Sequence, residues 1–132
     1  MTKKTYNSWF FRISGIATAV GGLISMVAPV SGTNLTMGID IESQPELIPL
    51  VGHWGVMVMS IGILLFISAS QKQMRPMTIW LAIVEKIYLV IAAAWLYSQS
   101  PALGTLYAVA AISDSIQIIG GLVYLLKTRE IE

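Results

Sequence analysis

Four long apolar stretches, separated by short polar segments, dominate the sequence. They cover residues 9–30, 48–70, 77–98 and 103–126. Each is close to the roughly 20 residues that an α-helix needs to cross the hydrocarbon core of a bilayer. Because every backbone polar group in lipid must be satisfied within the spanning structure, these stretches are predicted to be helices and not barrel strands. The pattern therefore predicts an all-α integral membrane four-helix bundle, formed by a single transmembrane domain over residues 1–132.

The first apolar stretch has an alternative interpretation as a signal peptide, because Lys3 and Lys4 precede it and small residues follow Val30. Its length of about 22 residues exceeds the ~7 to 15 residues of a signal-peptide core. It also contains Arg12 within its first turns. We therefore interpret it as a retained span.

Basic residues in the connecting segments predict the orientation of the bundle. They occur before the first stretch, between the second and third, and after the fourth, at Lys3, Lys4, Lys72, Arg75, Lys127 and Arg129. The segment between the first two stretches, residues 31–47, contains Asp40, Glu42 and Glu46 but no basic residue. Because Lys and Arg are enriched in cytoplasmic connections, both termini are predicted to be cytoplasmic and residues 31–47 to form an outer loop.

This outer loop is the only connection long enough to have structure of its own. Its Gly, Asn, Ser and Pro content favours a turn-rich loop. From residue 37 to residue 48, apolar and acidic residues alternate loosely. A short helix or a strand that lies over the outer end of the bundle is therefore an alternative interpretation.

Composition narrows the classes of function. The chain is 55% hydrophobic and 11% charged, with a net charge of +1, no Cys and one His. A nucleic-acid partner normally requires a clear basic excess, so we expect the lipid bilayer, and no nucleic acid, as a partner. Without Cys, and with one His, the chain is expected to hold no metal ion and no cofactor.

Three charged residues lie deep inside the predicted spans, where each charged group costs about 2.5 to 3.5 kcal/mol on insertion scales. The helix rise of about 1.5 Å per residue places Glu85 and Lys86 in the third span, and Asp114 in the fourth, at similar depths near the midplane. A Lys86–Asp114 ion pair would neutralise both groups and leave Glu85 without a partner at its own depth. The residues therefore predict an ion pair that pins two helices together or, at Glu85, a proton-binding group.

The fourth stretch has polar and small residues at helical spacing, which places them on one face. These residues are Tyr107, Ala110, Asp114, Gln117 and Gly121. The third stretch is predicted to face them with a side that includes Glu85 and Tyr88. Gln117 and Tyr88 are therefore candidate ligand-binding residues, with packing as the simpler role of the tyrosine.

Arg12 and His53 lie nearer the predicted membrane surfaces and complete the candidate binding residues. The alternative role of Arg12 is an interface anchor whose guanidinium reaches the cytoplasmic headgroups. For His53, about one turn inside the second span, the alternative to proton handling is a hydrogen-bonded position under the outer loop. The Arg12 face continues through Gly15, Ala19 and Gly22, small residues that would let another helix or another subunit approach closely.

The start of the second stretch and the three deep charges carry a resemblance. Gly52, His53, Trp54 and Gly55, followed by Glu85, Lys86 and Asp114, resemble small uncharacterised bacterial four-span proteins, loosely of the DoxX-like kind. Through architecture and dispersed residues over most of the chain, this resemblance implies a four-helix bundle in the cell inner (plasma) membrane, but no activity. The chain is also similar in length to the four-helix small multidrug transporters. Their membrane-embedded Glu lies in the first span, where this chain has Arg12.

Two classes of function are open. The first is a non-enzymatic bundle, acting as a homo-oligomer, that binds or transports a small molecule or a proton through a polar seam of Glu85, Lys86 and Asp114. The second is an intramembrane enzyme acting on a lipid or isoprenoid, with Glu85 and Asp114 as general acid and base and His53 assisting. Either class fits a hydrophobic or lipid-like ligand. An accessory subunit of a larger membrane complex is a third interpretation.

Overall fold

The computed structural model describes the backbone of residues 3–129 and the side chains of residues 8–102 and 104–127. The described chain is helical throughout its regular structure and contains no strand. Its helices are α1 (Lys3–Val27), α2 (Pro29–Met37), α3 (Ile48–Ser68), α4 (Arg75–Gln99), α5 (Pro101–Leu106) and α6 (Ala108–Arg129). Short 3-10 turns at Pro45–Leu47 and Lys72–Met74 lead directly into α3 and α4. The predicted all-α fold is confirmed.

Four helical segments are long and apolar enough to cross a membrane. They are Ser8–Val27, Pro45–Ser68, Lys72–Gln99 and Ala108–Lys127. Large apolar side chains such as Phe66, Trp80 and Ile116 are exposed on the outside of these helices. An apolar surface of this extent suits hydrocarbon better than water, so the fold indicates a helical membrane protein.

The first apolar stretch ends earlier than predicted, because a proline divides it. The residue before a proline is disfavoured in the helical conformation, and Ala28 accordingly has φ −137° and ψ 69°. Helix α1 therefore ends at Val27, and Pro29 begins α2. Helix α2 occupies the first part of the predicted outer loop and ends at Met37. Gly38 caps it with a φ of 72°, the left-handed conformation that glycine favours.

The fourth apolar stretch, predicted over residues 103–126, is also divided, at Tyr107 between two helices. Ser100 precedes Pro101 and is extended, with φ −153° and ψ 113°. Helix α5 then folds back on the end of α4, where Gly104 packs directly on Tyr97. The long helix α6 begins only at Ala108.

Helices α1 and α3 form an antiparallel pair that is held together by small residues. A Cβ atom added to Gly15 would lie 2.6 Å from the backbone nitrogen of Phe66, and one added to Gly55 would lie 2.6 Å from that of Met26. Both distances are shorter than van der Waals contact, so glycine is needed for this approach. The small-residue face that the sequence suggested for subunit docking is thus occupied by α3 within the chain.

Helices α4 and α6 form the second pair, and the two pairs share an apolar core at one end of the bundle. This end, which we call the terminal end, brings together the start of α1 and the ends of α3 and α6. Phe11 is fully buried there and meets the Tyr124 ring edge to face at 5.3 Å. Ser8 lies beside Ala69, with its hydroxyl 3.5 Å from the Ala69 carbonyl oxygen. Helix α2 lies at the opposite end, which we call the α2 end.

Arg75 connects the start of α4 to the end of α3 at the terminal end. Its side chain is 5% exposed, its Nε donates a hydrogen bond to the Ser68 carbonyl at 2.7 Å, and its Nη2 donates one to the Ala69 carbonyl at 2.6 Å. The guanidinium also lies over the Phe11 ring, 4.9 Å from its centroid. The start of α4 therefore supplies hydrogen-bond donors to two carbonyls at the end of α3, where helical backbone donors run out.

Candidate functional site

A charged cluster joins α4 to α6 halfway along the bundle. Lys86 Nζ donates a hydrogen bond to Asp114 Oδ1 at 2.9 Å and lies 3.5 Å from Glu85 Oε2. All three side chains are largely buried, with exposed fractions of 6% for Lys86, 12% for Asp114 and 16% for Glu85. The predicted pairing of Lys86 with Asp114 is present, and it connects the two helices directly.

Glu85 is the least satisfied member of this cluster. The sequence suggested that it has no partner, whereas the structure places it within ionic contact of Lys86. Its Oε2 atom is nevertheless buried and accepts no hydrogen bond from any described residue. One ammonium group is thus shared between two carboxylates, and the cluster has one negative charge in excess when all three groups are ionised.

A cavity of about 260 Å³ opens from the cluster toward the α2 end. It lies between the α1/α3 pair and the α4/α6 pair, and α2 forms its roof through Leu35, Thr36 and Met37. Trp54 and Leu89 contribute to its apolar wall. Cavities of 150 Å³ already accommodate benzene, so this one has room for a small organic group beside the charges.

The cavity ends at the cluster. On the side of the terminal end lies a gap of about 10 Å³, lined by residues that include Leu65, Ile79 and Ile83. The same residues belong to the buried apolar core. Among the described residues, this packed core therefore closes the cavity on the side of the terminal end.

Gln117 and Thr18 form a polar contact between α6 and α1 beside the cluster. The Thr18 hydroxyl donates a hydrogen bond to Gln117 Oε1 at 3.1 Å, and both residues line the cavity. The predicted polar face of the fourth stretch thus supplies Asp114 and Gln117 to one site. Sequence reasoning missed Thr18, although Ser14, Thr18 and Ser25 recur at helical spacing and are all buried.

Three predicted site residues lie outside the cavity. Tyr88 is 77% exposed, because α4 turns Ile79, Ala82 and Lys86 inward and Tyr88 lies about 200° round the helix from Lys86. His53 and Arg12 are exposed and are absent from the cavity lining that the described residues form. The structure therefore brings together Glu85, Lys86, Asp114 and Gln117, and it separates the other candidates from them.

The candidate site is thus a buried carboxylate and ammonium cluster inside a helical protein with four candidate membrane spans. Within the part of the chain that the structure describes, no group of three His, Cys, Asp or Glu side chains could hold a metal ion. No protein-family model, curated protein or solved structure matches this chain.

Proposed function

We propose that this chain is a multi-pass protein of the cell inner (plasma) membrane, with its terminal end in the cytoplasm and its α2 end outside. Basic residues support this orientation, since Lys72 lies in the connection at the terminal end and Arg75 begins α4 there. The segment at the α2 end has Asp40, Glu42 and Glu46 as its charged residues. Retention of Lys and Arg on the cytoplasmic side would produce this arrangement.

Its proposed function is to bind a proton or a small molecule at the cluster of Glu85, Lys86 and Asp114, and to carry it across the membrane. The observation that carries this proposal is that the cluster lies at the closed base of a one-sided cavity. Carriers bind their cargo near the bilayer midplane and expose the site to one side at a time. In this interpretation the cavity belongs to the outer half of the protein, and the packed core around Leu65 and Ile79 is the closed inner gate.

Glu85 is the residue that would bind the proton. Lys86 already donates a hydrogen bond to Asp114, whereas Glu85 Oε2 has no donor among the described residues. A proton on Glu85 removes the excess negative charge and leaves Lys86 and Asp114 as a neutral pair. Charged and neutral states of the cluster would thus differ at a single carboxyl group, as proton relays in membranes require.

Proton flux into proteoliposomes tests this proposal. The purified protein is reconstituted around a pH-sensitive dye, an acid pulse is applied outside, and the rate of internal acidification is recorded. We expect the wild-type rate to exceed that of protein-free vesicles and to fall to the protein-free rate in Glu85→Gln. Glu42→Gln, which neutralises an exposed carboxylate near the α2 end, is the matched control and should conduct like the wild type. Equal rates for the wild type and Glu85→Gln would refute the proposal.

Acid–base catalysis on a membrane-dissolved substrate is the second candidate function. The observation that favours it is that Glu85 and Asp114 line the same cavity. Lys86 holds Asp114 at 2.9 Å, which opposes a free acid or base role for that carboxylate. His53, the third residue of this hypothesis, lies outside the described lining. For these two reasons we place catalysis below transport as the proposed function.

The homo-oligomer expected from the sequence is a separate prediction from the carrier site. The cavity is lined within one chain, so the proposed site is complete without a second copy. The small residues Gly120 and Gly121 of α6 pack on Phe10 and Ile79, and an oligomer would need other surfaces. Light scattering of the purified protein in detergent measures the number of chains per particle.

A further inference from the structure

A gap between α1 and α6 opens the cavity sideways. The two helices are joined toward the terminal end, where Phe10 packs on Gly120 and Thr18 is hydrogen-bonded to Gln117. Beyond that hydrogen bond, the cavity is bordered by Gly21 of α1 on one side. A Cβ added to Gly21 would meet no atom of the described residues within 4 Å, so α1 and the described part of α6 are separated there. We call this gap the portal.

The portal lies within the lengths of the candidate membrane spans. On the α6 side it is bordered by Val109 and Ser113, and Leu35 of α2 lies above it. Val109 is 73% exposed and Leu35 is 72% exposed, so the border presents apolar side chains outward. Gly21 and Val109 belong to Ser8–Val27 and Ala108–Lys127, two of the candidate spans. In a bilayer the portal therefore faces hydrocarbon, and not the aqueous phase.

The size of the cavity limits what can enter. Its volume of about 260 Å³ is below the ~300 to 1,000 Å³ of sites that enclose a drug-sized ligand. A whole lipid does not fit. A single-chain amphiphile fits when its head group and first carbons occupy the cavity and the rest of its chain passes through the portal into the bilayer.

The charges of the cluster select the head group. Two carboxylates share one ammonium, and Glu85 Oε2 is buried without a hydrogen-bond donor among the described residues. An ammonium head supplies both the missing donor and the missing positive charge, and the Trp54 ring in the cavity wall offers a face that attracts a cation. An anionic head would meet the carboxylates and lose its hydration without compensation.

We infer that the ligand of this site is a single-chain amphiphile with an ammonium head, which enters from the bilayer through the portal between α1 and α6 and pairs with Glu85. This inference rests on the proposed function, because it names the class of molecule that the carrier site takes. The alkyl chain of such a molecule remains in lipid while its head group reaches the cluster near the bilayer midplane. The molecule is therefore never dissolved as a whole in water, and the free-energy cost of that transfer does not arise.

Quenching of Trp54 fluorescence tests both the ligand and the route. The variant retains Trp54 and replaces Trp9, Trp80 and Trp95, all exposed, by Phe. The probe is a single-chain primary amine brominated along its chain, added to the reconstituted protein. The alcohol and the carboxylic acid with the same brominated chain are the comparison probes. A second variant that keeps Trp80 alone reports unspecific quenching from the bilayer.

We expect saturable quenching of Trp54 by the amine, and only a gradual, unsaturated loss for Trp80. Glu85→Gln should weaken the apparent affinity for the amine by about tenfold or more, as expected for the loss of a charge-assisted contact. Gly21→Phe, whose Cβ meets no described atom within 4 Å, places a ring in the portal and should abolish the saturable component. Val20→Phe adds the same ring one residue away on the exposed face and should leave it unchanged.

Equal saturable quenching by the amine and the acid would overturn the ammonium head, and saturable quenching that survives Gly21→Phe would overturn the lateral route. Proton flux that depends on Glu85 in a protein that does not bind the amine would refute this inference alone. Saturable amine binding in a protein whose proton flux ignores Glu85 would refute the proposed function instead.

Discussion

Removing Lys86 and removing Asp114 should have unequal effects on stability, because Lys86 faces two carboxylates. In Asp114→Leu, the ammonium group of Lys86 keeps Glu85 as a partner 3.5 Å away. In Lys86→Met, both Glu85 and Asp114 are left buried without a cation. The two single variants remove opposite partners of the same 2.9 Å hydrogen bond. If Lys86 and Asp114 formed an isolated pair, both variants would lower the free energy of unfolding by the same amount.

The distances give the magnitude of the difference. At an effective dielectric constant of about 20, the attraction across 2.9 Å is about 5.7 kcal/mol and that across 3.5 Å is about 4.7 kcal/mol. The attraction to Glu85 is present in the wild type and is kept in Asp114→Leu, so the ammonium of Lys86 stays paired and we expect a loss of about 1.5 to 3 kcal/mol in the free energy of unfolding, the range for one hydrogen bond to a charged group. Lys86→Met leaves uncompensated buried carboxylates, which costs about 3 to 5 kcal/mol.

The assay is reversible unfolding of the purified protein in bicelles by SDS, followed by far-ultraviolet circular dichroism. Lys72→Met, which removes an exposed lysine in the connection before α4, is the matched control and should match the wild type. Adding Glu85→Gln to Lys86→Met should recover part of the loss, because one of the two buried carboxylates is then neutral.

Equal destabilisation by Lys86→Met and Asp114→Leu would refute the three-residue interpretation. It would mean that Glu85 does not share the ammonium of Lys86 and that the cluster is an ordinary ion pair. A failure of Glu85→Gln to recover any stability in the Lys86→Met background would lead to the same conclusion by an independent path.

The remaining predictions concern packing and are measured by the same unfolding assay. Gly22→Ala should destabilise by about 1 to 3 kcal/mol because its Cβ meets the backbone of α3, whereas Gly21→Ala should be neutral or stabilise by up to about 1 kcal/mol; equal effects would contradict the close approach of α1 to α3. Arg75→Lys should lower stability by about 2 kcal/mol, because Lys cannot donate in the same fork to two carbonyls, and an unchanged midpoint would remove its capping role. Phe11→Ala should cost about 3 to 5 kcal/mol, while Phe66→Ala, at an exposed position, should cost far less; the reverse order would place the core elsewhere.

The helices and the depth of the cluster could be predicted from sequence because both depend on local and additive quantities. Length and hydropathy decide whether a segment can cross a bilayer, and a fixed rise per residue places Lys86 and Asp114 at one depth. The cost of a charge in hydrocarbon then makes their pairing the cheapest arrangement. The divisions at Pro29 and Pro101 were also readable in principle, since the residue before a proline leaves the helix.

Only the tertiary structure decided which faces of the helices meet. The period of α4 allowed Tyr88 to share an inner face with Glu85, but the packing of Ile79 and Ala82 on the core turns Lys86 inward and Tyr88 outward. The glycines of α1 were equally suited to a second subunit and to α3, and the structure assigns them to α3. The role of Arg75 as a cap likewise depends on where α3 ends.

The cavity, too, could be found only in the tertiary structure. Its volume is what remains when two helix pairs meet at the terminal end and α2 crosses the opposite end, and no single segment specifies that remainder. Sequence thus determined that the charges are buried and which of them pair. Both follow from the free-energy cost of placing each charged side chain in an apolar medium. Folding determined that Glu85 lies beside empty space, because space is a property of how all the helices pack together.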